Sequence, residues 1–280
     1  MKKTIQELND IASQVRRDIV RMVTAAKSGH PGGSLSSTDI LTALYFNEME
    51  QDAATWTREA KGQDAFILSA GHLAPVYYAV LARAGYFDPK EMGSLRKFGS
   101  DLQGHPSVGH IKGIFQPSGS LGQGLSVAAG FALGKKMDGE KNYVFTLMGD
   151  GESEEGQIWE AAIFAAHHKL DNLIAFTDWN GQQIDGAVEN VAGLGDLADK
   201  WSAFGWNVIV VEDGHDFEKI LAAFDIAKAS EGKPSMILLK TEMGHGVDFM
   251  AGTHKWHGKA PSEEQRDAAL AQLEETLGDY

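Results

Sequence analysis

The stretch YVFTLMGDGESEEGQIWEAAIFA, residues 143–165, sets an acidic, glycine-containing turn between two apolar segments. Residues 143–148 have the length and apolar content of a buried strand, and the apolar residues from Ile158 to Ala165 indicate a buried helix. The turn holds four carboxylates within the six positions from Asp150 to Glu155. Because like charges at this spacing repel one another, we expect at least one of them to meet a cation.

The same alternation of strand and helix continues along the chain, which is typical of a parallel α/β sheet. Further buried strands are predicted at 64–69, 172–177, 207–211 and 235–239. Helices are predicted at 5–22, 37–46, 125–133, 155–168, 196–204 and 216–229, and from residue 74 onward. Glycine and proline predict a non-helical loop at 28–33, and residues 99–124 are glycine-rich and irregular. The sequence therefore predicts an α/β fold with a doubly wound, mostly parallel sheet flanked by helices.

No internal repeat or low-complexity segment divides the chain, so one domain over residues 1–280 is the simplest organisation. It is expected to end in a short helix, because Ser262 and Gln265 have capping-box spacing. Leu270, Leu273 and Leu277 are predicted to form the apolar stripe of that helix.

Composition excludes several classes of function. The chain has 25 basic and 39 acidic residues, a net charge of −14, and no basic cluster, so no nucleic-acid partner is expected. It has no cysteine, which excludes disulfides, thiolate metal sites and a cysteine nucleophile. The start, MKKTIQELND, lacks the apolar segment of a signal peptide, and no apolar run approaches membrane-spanning length. A cytoplasmic protein without a membrane partner is the expectation.

Oxygen-bearing side chains follow two successive strands. Gly149-Asp150-Gly151 comes directly after the strand at 143–148, and Asn180 follows the next strand. Ligands of parallel sheets sit at the carboxyl ends of strands, where helix N-termini offer free N–H groups. Either motif alone is more often a simple turn, but together they predict that Asp150 and Asn180 lie close together. Such oxygen ligands, completed by phosphate and water, suit Mg²⁺.

Two stretches carry a resemblance to a known family. GDGESEEGQIWEA (149–161) followed by DWNGQQIDG (178–186) resembles the thiamine-diphosphate fingerprint of transketolases. Further stretches match that family in the same order: KSGHPGGSLSSTD (27–39), LSAGH (68–72), GHPS (104–107), PSGSLGQGLSVAAG (117–130) and WHGKAP (256–261). The resemblance covers nearly the whole chain and implies the N-terminal, pyrophosphate-binding domain of a transketolase.

The resemblance implies roles for particular residues. Asp150, Asn180 and the backbone carbonyl of Gln182 would bind Mg²⁺, with Ca²⁺ or Mn²⁺ as alternatives. The residues implied for binding thiamine diphosphate are His72, Gly119, Leu121, Gly149, Gly151, Glu155, Asn180 and His257. The implied catalytic residues are His30, His72, His105 and His257, with His105 contacting the donor sugar. Glu155 also matches an acid near the family's subunit interface, whereas Glu152 and Glu154 are expected to face solvent without a role.

The four histidines can also be judged from their surroundings. Each adjoins a glycine in an irregular segment, where a neutral imidazole can donate, accept or shuttle a proton near pH 7. A zinc site is the alternative, but the short spacing of typical histidine ligand pairs is absent. The sequence leaves open whether His245 and His254 also line the site.

The resemblance further implies a partner. In this family a glutamate of the following, pyrimidine-binding domain activates the cofactor, and the 280 residues are used up before such a domain. We therefore expect the partner to be a C-terminal pyrimidine-domain transketolase subunit, in an α2β2 heterotetramer, and the substrates to be sugars or sugar phosphates that the sequence does not name. Two residues depart from the family pattern. Ser107 bears on the entrance to the donor-sugar pocket, and Ser120 bears on the rigidity of its loop. The alternatives are a deoxyxylulose-phosphate synthase-like or ketoacid dehydrogenase α-like subunit, or a non-catalytic module.

Overall fold

Five parallel strands form the central sheet in a computed structural model that describes residues 2–280. The sheet order is β1-β2-β3-β7-β6, with strands β1 (Ala65–Leu68), β2 (Val144–Gly149), β3 (Leu173–Trp179), β6 (Asn207–Val211) and β7 (Ser235–Lys240). A short antiparallel hairpin joins β4 (Gln182–Gln183) to β5 (Gly186–Ala187). Every predicted strand is present and all pairings in the main sheet are parallel, so the predicted fold class is confirmed.

Helices cover both faces of the sheet. One apolar core lies under α1 (Ile5–Ala26), α3 (Thr38–Ala43), α4 (Ala74–Arg83) and α9 (Phe217–Lys228). The second core lies under α5 (Gln123–Met137), α6 (Gly156–His167) and α8 (Leu197–Ala203). A sheet covered on both faces needs strands that are apolar on both sides, which is why the strands read as continuous apolar runs. No helix within residues 2–280 combines the length and the apolar character needed to cross a membrane.

The segment expected to be a loop at 28–33 is partly helical. Helix α2 (Pro31–Ser36) begins at the proline, which is tolerated in a first helical turn because its missing N–H has no intrahelical partner there. The two glycines serve close packing: a Cβ on Gly32 would lie 2.8 Å from Met243, and one on Gly33 would lie 2.7 Å from Leu73. The helix predicted at 37–46 is correspondingly divided into α3 and a π-helical turn, Leu44–Glu48.

The C-terminal helix is shorter than its apolar pattern predicts. The capping box of Ser262 and Gln265 is present, but α10 (Glu263–Leu270) ends at the first leucine of the stripe, and Leu277 is 49% exposed. The remaining chain turns back onto α1, where Arg17 and Arg21 each donate to Asp279 at 2.8 Å. The C-terminal tail is therefore held by ion pairs with these arginines and not by a continued helix.

The sheet register determines where the polar turns meet. Gly149 is paired with Asp178, and Trp179 with Lys240, so β2, β3 and β7 end at one edge. The segments that follow these three strands, together with α2 and the short helix α7 (Val188–Ala192), surround that edge. This is the edge at which the sequence predicted a ligand.

Candidate active site

A cavity of about 460 Å³ opens at the carboxyl edge of the sheet. The residues singled out from the sequence that line it are His72, Leu121, Gly149, Asp150, Gly151, Glu155, Asn180, Gln182 and His257. The others adjoin it: the His30 ring lies against His72 and His257, and a Cβ on Gly119 would lie 3.7 Å from the His105 ring. The structure thus brings all of the selected residues to one place, while their individual roles remain predictions.

The four selected histidines form one cluster. The His30 ring centroid lies 5.4 Å from that of His72, 6.3 Å from His105 and 5.7 Å from His257. Burial, reinforced by the neighbouring His257, lowers the pKa of His72 to about 3 and that of His30 to about 4. Burial also lowers the pKa of His105 and His257. All four imidazoles are therefore neutral at pH 7, and each can donate one hydrogen bond and accept another.

Two of these rings have a free polar atom inside the protein. The Nδ1 atoms of His30 and His257 are buried and have no hydrogen-bond partner. A buried polar atom without a partner carries a free-energy cost, which a bound ligand can remove. The cluster is thus suited to polar ligand groups. Within residues 2–280 its ring nitrogens do not come close enough together for three of them to hold one zinc ion, as the zinc alternative would require.

Asp150 has the surroundings of a metal ligand. Its side chain is nearly fully buried and accepts hydrogen bonds from the N–H groups of Gly151 at 2.8 Å and Gly181 at 2.6 Å. Burial, followed by the charge of Asp178, raises its pKa to about 7. Across residues 2–280 no lysine, arginine or histidine forms an ion pair with either carboxylate. Since the charge is otherwise uncompensated, a divalent cation bound by the Asp150 oxygens would stabilise it.

The backbone approaches the cavity closely beside Asp150. A Cβ added to Gly149 would meet no protein atom within 4 Å, so it would project into the space of the cavity. Elsewhere the backbone segments touch each other, since a Cβ on Gly71 would lie only 2.6 Å from the backbone nitrogen of Gly119. The open space at Gly149 therefore leaves room beside Asp150 for a bound group such as a diphosphate.

Glu152 does not face solvent, so the expectation for this residue was wrong. It is 3% exposed, and its carboxylate accepts hydrogen bonds from the Ser69 hydroxyl and from the N–H groups of Gly122 at 2.8 Å and Gly149 at 3.1 Å. These donors belong to three separate segments at the cavity. Burial raises the pKa of Glu152 to about 7. Hydrogen-bond donors, and no cation, therefore meet this carboxylate of the acidic turn.

The other two acids of the turn lie at the rim. Glu154 is half-buried rather than solvent-facing, and it accepts a hydrogen bond from the Gln183 side chain at 2.7 Å. Glu155 is exposed in the single chain and stands at the N-cap of α6 without a side-chain cap bond. Its carboxylate is thus free for a contact outside this chain.

Two charged residues at the site were not identified from the sequence. Asp178 is buried under the cavity among four side-chain donors. Arg96 lies beside the histidines, where it donates to Ser28 at 3.0 Å and helps lower the pKa of His30 and His105. A charged residue at the very end of an apolar run, as in LIAFTD, is the one signal in the sequence that could have identified Asp178.

A second group of polar side chains lies outside the cavity. His215 donates from Nδ1 to Asp39 at 2.7 Å, accepts from the Glu242 N–H at Nε2 over 3.0 Å, and stacks on His245 at 3.5 Å. Arg16 pairs with the same Asp39 carboxylate. Because both nitrogens of His215 are engaged, this group fastens the loop after β7 and offers no free ligand set. Neither His245 nor His254 lines the cavity.

Comparison with known proteins agrees with this geometry. The profile of one family, described as the thiamine diphosphate binding domain of transketolase, matches residues 8–278. The 6-deoxy-6-sulfo-D-fructose transketolase subunit SqwG of Clostridium sp. (strain MSTE9) is 44% identical over 270 residues, which cover 96% of each chain. One subunit of the apulose-4-phosphate transketolase of Phocaeicola vulgatus is 39% identical over 94% of this chain and 92% of its own length.

Solved structures show the same fold. The transketolase from Leishmania mexicana superimposes with a TM-score of 0.91 and 29% identity over 100% of this chain and 43% of its own. The transketolase from Campylobacter jejuni superimposes with a TM-score of 0.90 and 32% identity over 97% of this chain and 43% of its own. The chain thus spans about two fifths of these transketolases. The comparisons favour the transketolase interpretation over the synthase-like and dehydrogenase-like alternatives.

Proposed function

The chain belongs to the transketolase family, and from that premise we propose that it is the cofactor-binding subunit of a two-component transketolase. The reaction is transfer of a two-carbon ketol unit from a ketose to an aldose. The observation that carries the proposal is the cavity in which an uncompensated, buried Asp150 lies beside four neutral histidines. The relatives that match over nearly their whole length are themselves named transketolase subunits.

The residues present fit thiamine diphosphate with Mg²⁺. Asp150, Asn180 and Gln182 would hold the metal, and the open space at Gly149 would accept the diphosphate. When bound, thiamine diphosphate supplies the nucleophilic carbon and the electron sink for breaking a carbon–carbon bond. An oxygen-only ligand set favours Mg²⁺, Ca²⁺ or Mn²⁺ over softer metals.

The histidine cluster would orient the sugar and handle its protons. Because burial keeps these rings neutral, each can hold a proton on one nitrogen and accept one on the other as hydroxyl groups of the substrate change their protonation. Fixed N–H donors in a site shielded from water also stabilise developing negative charge on oxygen. His105 is exposed at the outer end of the cluster, which suits contact with the donor sugar.

A second subunit would complete the site. The rim of the cavity includes Ile184, whose side chain is 60% exposed, as well as the exposed Glu155 and Ala192. An exposed apolar side chain beside a functional cavity is typical of a contact surface. We infer that a C-terminal, pyrimidine-domain subunit covers this rim, and that two copies of each chain form an α2β2 heterotetramer. Residues 1–280 would act in it as one pyrophosphate-binding domain, in the cytoplasm.

The substrate would be a ketose with an anionic tail. The two relatives that match along their length are named for a sulfo-fructose and for a sugar phosphate, which share an acidic group at one end. Within residues 2–280 Arg96 is the arginine beside the histidine cluster, and its guanidinium already donates to Ser28 and to the Gly104 carbonyl. The group that recognises the tail would therefore come from the partner subunit.

Reconstitution tests the proposal. The chain is purified alone and together with a pyrimidine-domain transketolase subunit, and thiamine-diphosphate binding with Mg²⁺ is measured by calorimetry. Ketol transfer is assayed with a panel of ketose donors, phosphorylated and sulfonated, and aldose acceptors. We expect turnover only in the mixture. Robust turnover by the lone chain would refute the two-component arrangement, and absence of cofactor binding by both preparations would refute the cofactor assignment.

A further inference from the structure

Asp178 is a buried carboxylate surrounded by side-chain donors. It lies at the end of β3 and is 2% exposed. Its Oδ2 accepts from the hydroxyls of Ser36 at 2.6 Å and Ser37 at 3.1 Å and from the amide nitrogen of Asn180 at 2.9 Å, while Oδ1 accepts from the hydroxyl of Thr241. No basic side chain within residues 2–280 pairs with it. Four donors without a counter-ion indicate a charge that is held in place for a purpose other than a salt bridge.

The chemistry of Asp178 determines how Asn180 is oriented. Both oxygens of Asp178 accept hydrogen bonds from hydroxyl groups, so the NH₂ group of Asn180, and not its oxygen, faces Asp178. The amide oxygen must then face the other way, where it accepts the N–H of Gln182 at 2.9 Å and keeps one lone pair free. Asn180 lines the cavity beside Asp150, and the N–H of Gly181 bonds to the Asp150 carboxylate at 2.6 Å. The free lone pair therefore belongs to the same small region as the Asp150 oxygens.

The two serines that hold Asp178 come from one short segment at the end of helix α2. Ser36 ends helix α2 and Ser37 follows it, within the segment GGSLSSTD. The absence of a Cβ at Gly33 lets that helix pack against Leu73 beside the cavity. Thr241 reaches Asp178 from the opposite side, directly after β7. Two distant segments thus fix one carboxylate beneath the turn at 178–182.

We propose that Asp178 is a positioning residue for the metal site: it holds the amide of Asn180 so that its oxygen faces the cation, while Ser36, Ser37 and Thr241 hold Asp178. The proposal rests on the proposed function, in which Asn180 is a metal ligand. Asp178 does not touch the metal in this arrangement and acts through the hydrogen bond to Asn180. Outer groups of this kind fix the orientation of metal ligands, and their loss typically weakens metal binding about 10- to 100-fold.

Exchanging the two side chains tests the hydrogen bond directly. Asn180→Asp introduces a carboxylate, which as an isolated change should strengthen Mg²⁺ binding by its added charge. Here it removes the NH₂ donor to Asp178 and places two carboxyl groups face to face, so we expect Mg²⁺ and thiamine-diphosphate affinity to fall about 10- to 100-fold. In the double variant Asp178→Asn, Asn180→Asp, donor and acceptor exchange places, and the serine hydroxyls can turn to accept. We expect the double variant to recover most of the lost affinity.

Affinity is measured by calorimetry on the purified chain and on its complex with the partner subunit, and thermal melting of the metal-free protein is followed in parallel. Asp178→Asn alone should weaken binding less than Asn180→Asp, because an amide oxygen can still accept from Asn180. Asp64→Asn is the matched control. Asp64 is also 2% exposed, but its carboxylate accepts hydrogen bonds from the backbone N–H groups of Glu50 and Tyr143 at the opposite end of the sheet. It should alter melting without altering affinity.

The outcomes separate this inference from the function on which it rests. The proposed function is supported if wild type binds thiamine diphosphate with Mg²⁺ and Asp150→Ala does not. The role of Asp178 is then supported if the double variant recovers the affinity lost in Asn180→Asp. Binding by Asn180→Asp that equals or exceeds wild type, or a double variant no better than Asn180→Asp, overturns the role of Asp178 and leaves the function standing. Failure of the wild-type protein to bind the cofactor with Mg²⁺ overturns both.

Discussion

Replacing Glu152 by glutamine should change how stability depends on pH. Burial raises the pKa of this carboxyl from its usual 4.5 to about 7, so the folded protein keeps a proton that the unfolded chain releases. The contribution of the Glu152 carboxyl to folding stability is therefore fully present below pH 4.5 and is lost as pH rises through 7. A pKa displacement of this size corresponds to about 3 kcal/mol of unfolding free energy. Glutamine does not titrate, so Glu152→Gln should lose this part of the pH dependence.

The difference in unfolding free energy between wild type and Glu152→Gln is measured by urea unfolding at pH 5, 6, 7 and 8. EDTA is present to remove any metal. Between pH 5 and 8 wild type should lose about 2–3 kcal/mol relative to Glu152→Gln, since part of the contribution is already lost at pH 5 and all other titrating groups are shared and cancel in the comparison. Glu160→Gln, on the exposed side of α6, controls for loss of a surface charge. Parallel stability curves for wild type and Glu152→Gln would show that the carboxyl is not held as the structure has it.

Three further predictions concern the cavity. Asp150→Ala should preserve the fold but weaken Mg²⁺-dependent thiamine-diphosphate binding by more than about 100-fold, because a ligand and not merely its support is lost; equal calorimetric affinities would contradict the metal assignment. His105→Ala should lower donor kcat/KM in the reconstituted enzyme about 100-fold while cofactor affinity stays within a few-fold, as for the loss of one donor to a reacting oxygen; an unchanged kcat/KM would make His105 structural. Gly71→Ala should destabilise the protein by about 1–3 kcal/mol and weaken cofactor binding, because its Cβ would lie 2.6 Å from the backbone at Gly119. A melting temperature equal to that of wild type would mean that the 118–119 segment moves aside without cost.

Apolar patterning was sufficient to predict the sheet, because each strand is covered on both faces and therefore reads as an unbroken apolar run. The predicted strand at 207–211 matches β6 residue for residue, and those at 172–177 and 235–239 differ from β3 and β7 by one or two residues at an end. The presence of Asp150 and Asn180 at one cavity followed as well, since parallel neighbours must end at the same edge.

Glycine and charge were interpreted wrongly where their meaning depends on distant neighbours. Gly32 and Gly33 predicted a loop, but they occupy a helix whose surface must come close to Met243 and Leu73. Glu152 was assigned to solvent because the family resemblance left it without a role, yet the fold supplies donors from Ser69 and Gly122. Local propensity carries no information about partners that lie dozens of residues away in the chain.

The sequence by itself determined the α/β class and the position of the acidic turn at a strand's carboxyl end, because these depend on periodicity within short segments. It also indicated the set of residues gathered around the cavity, mainly through motifs that resemble those of transketolases. The tertiary structure alone decided that Glu152 ties three loops together, that Asp178 orients Asn180, and that burial keeps the four histidines neutral. Each of these is a matter of desolvation and hydrogen bonding between segments, and such contacts come into existence only when the chain has folded.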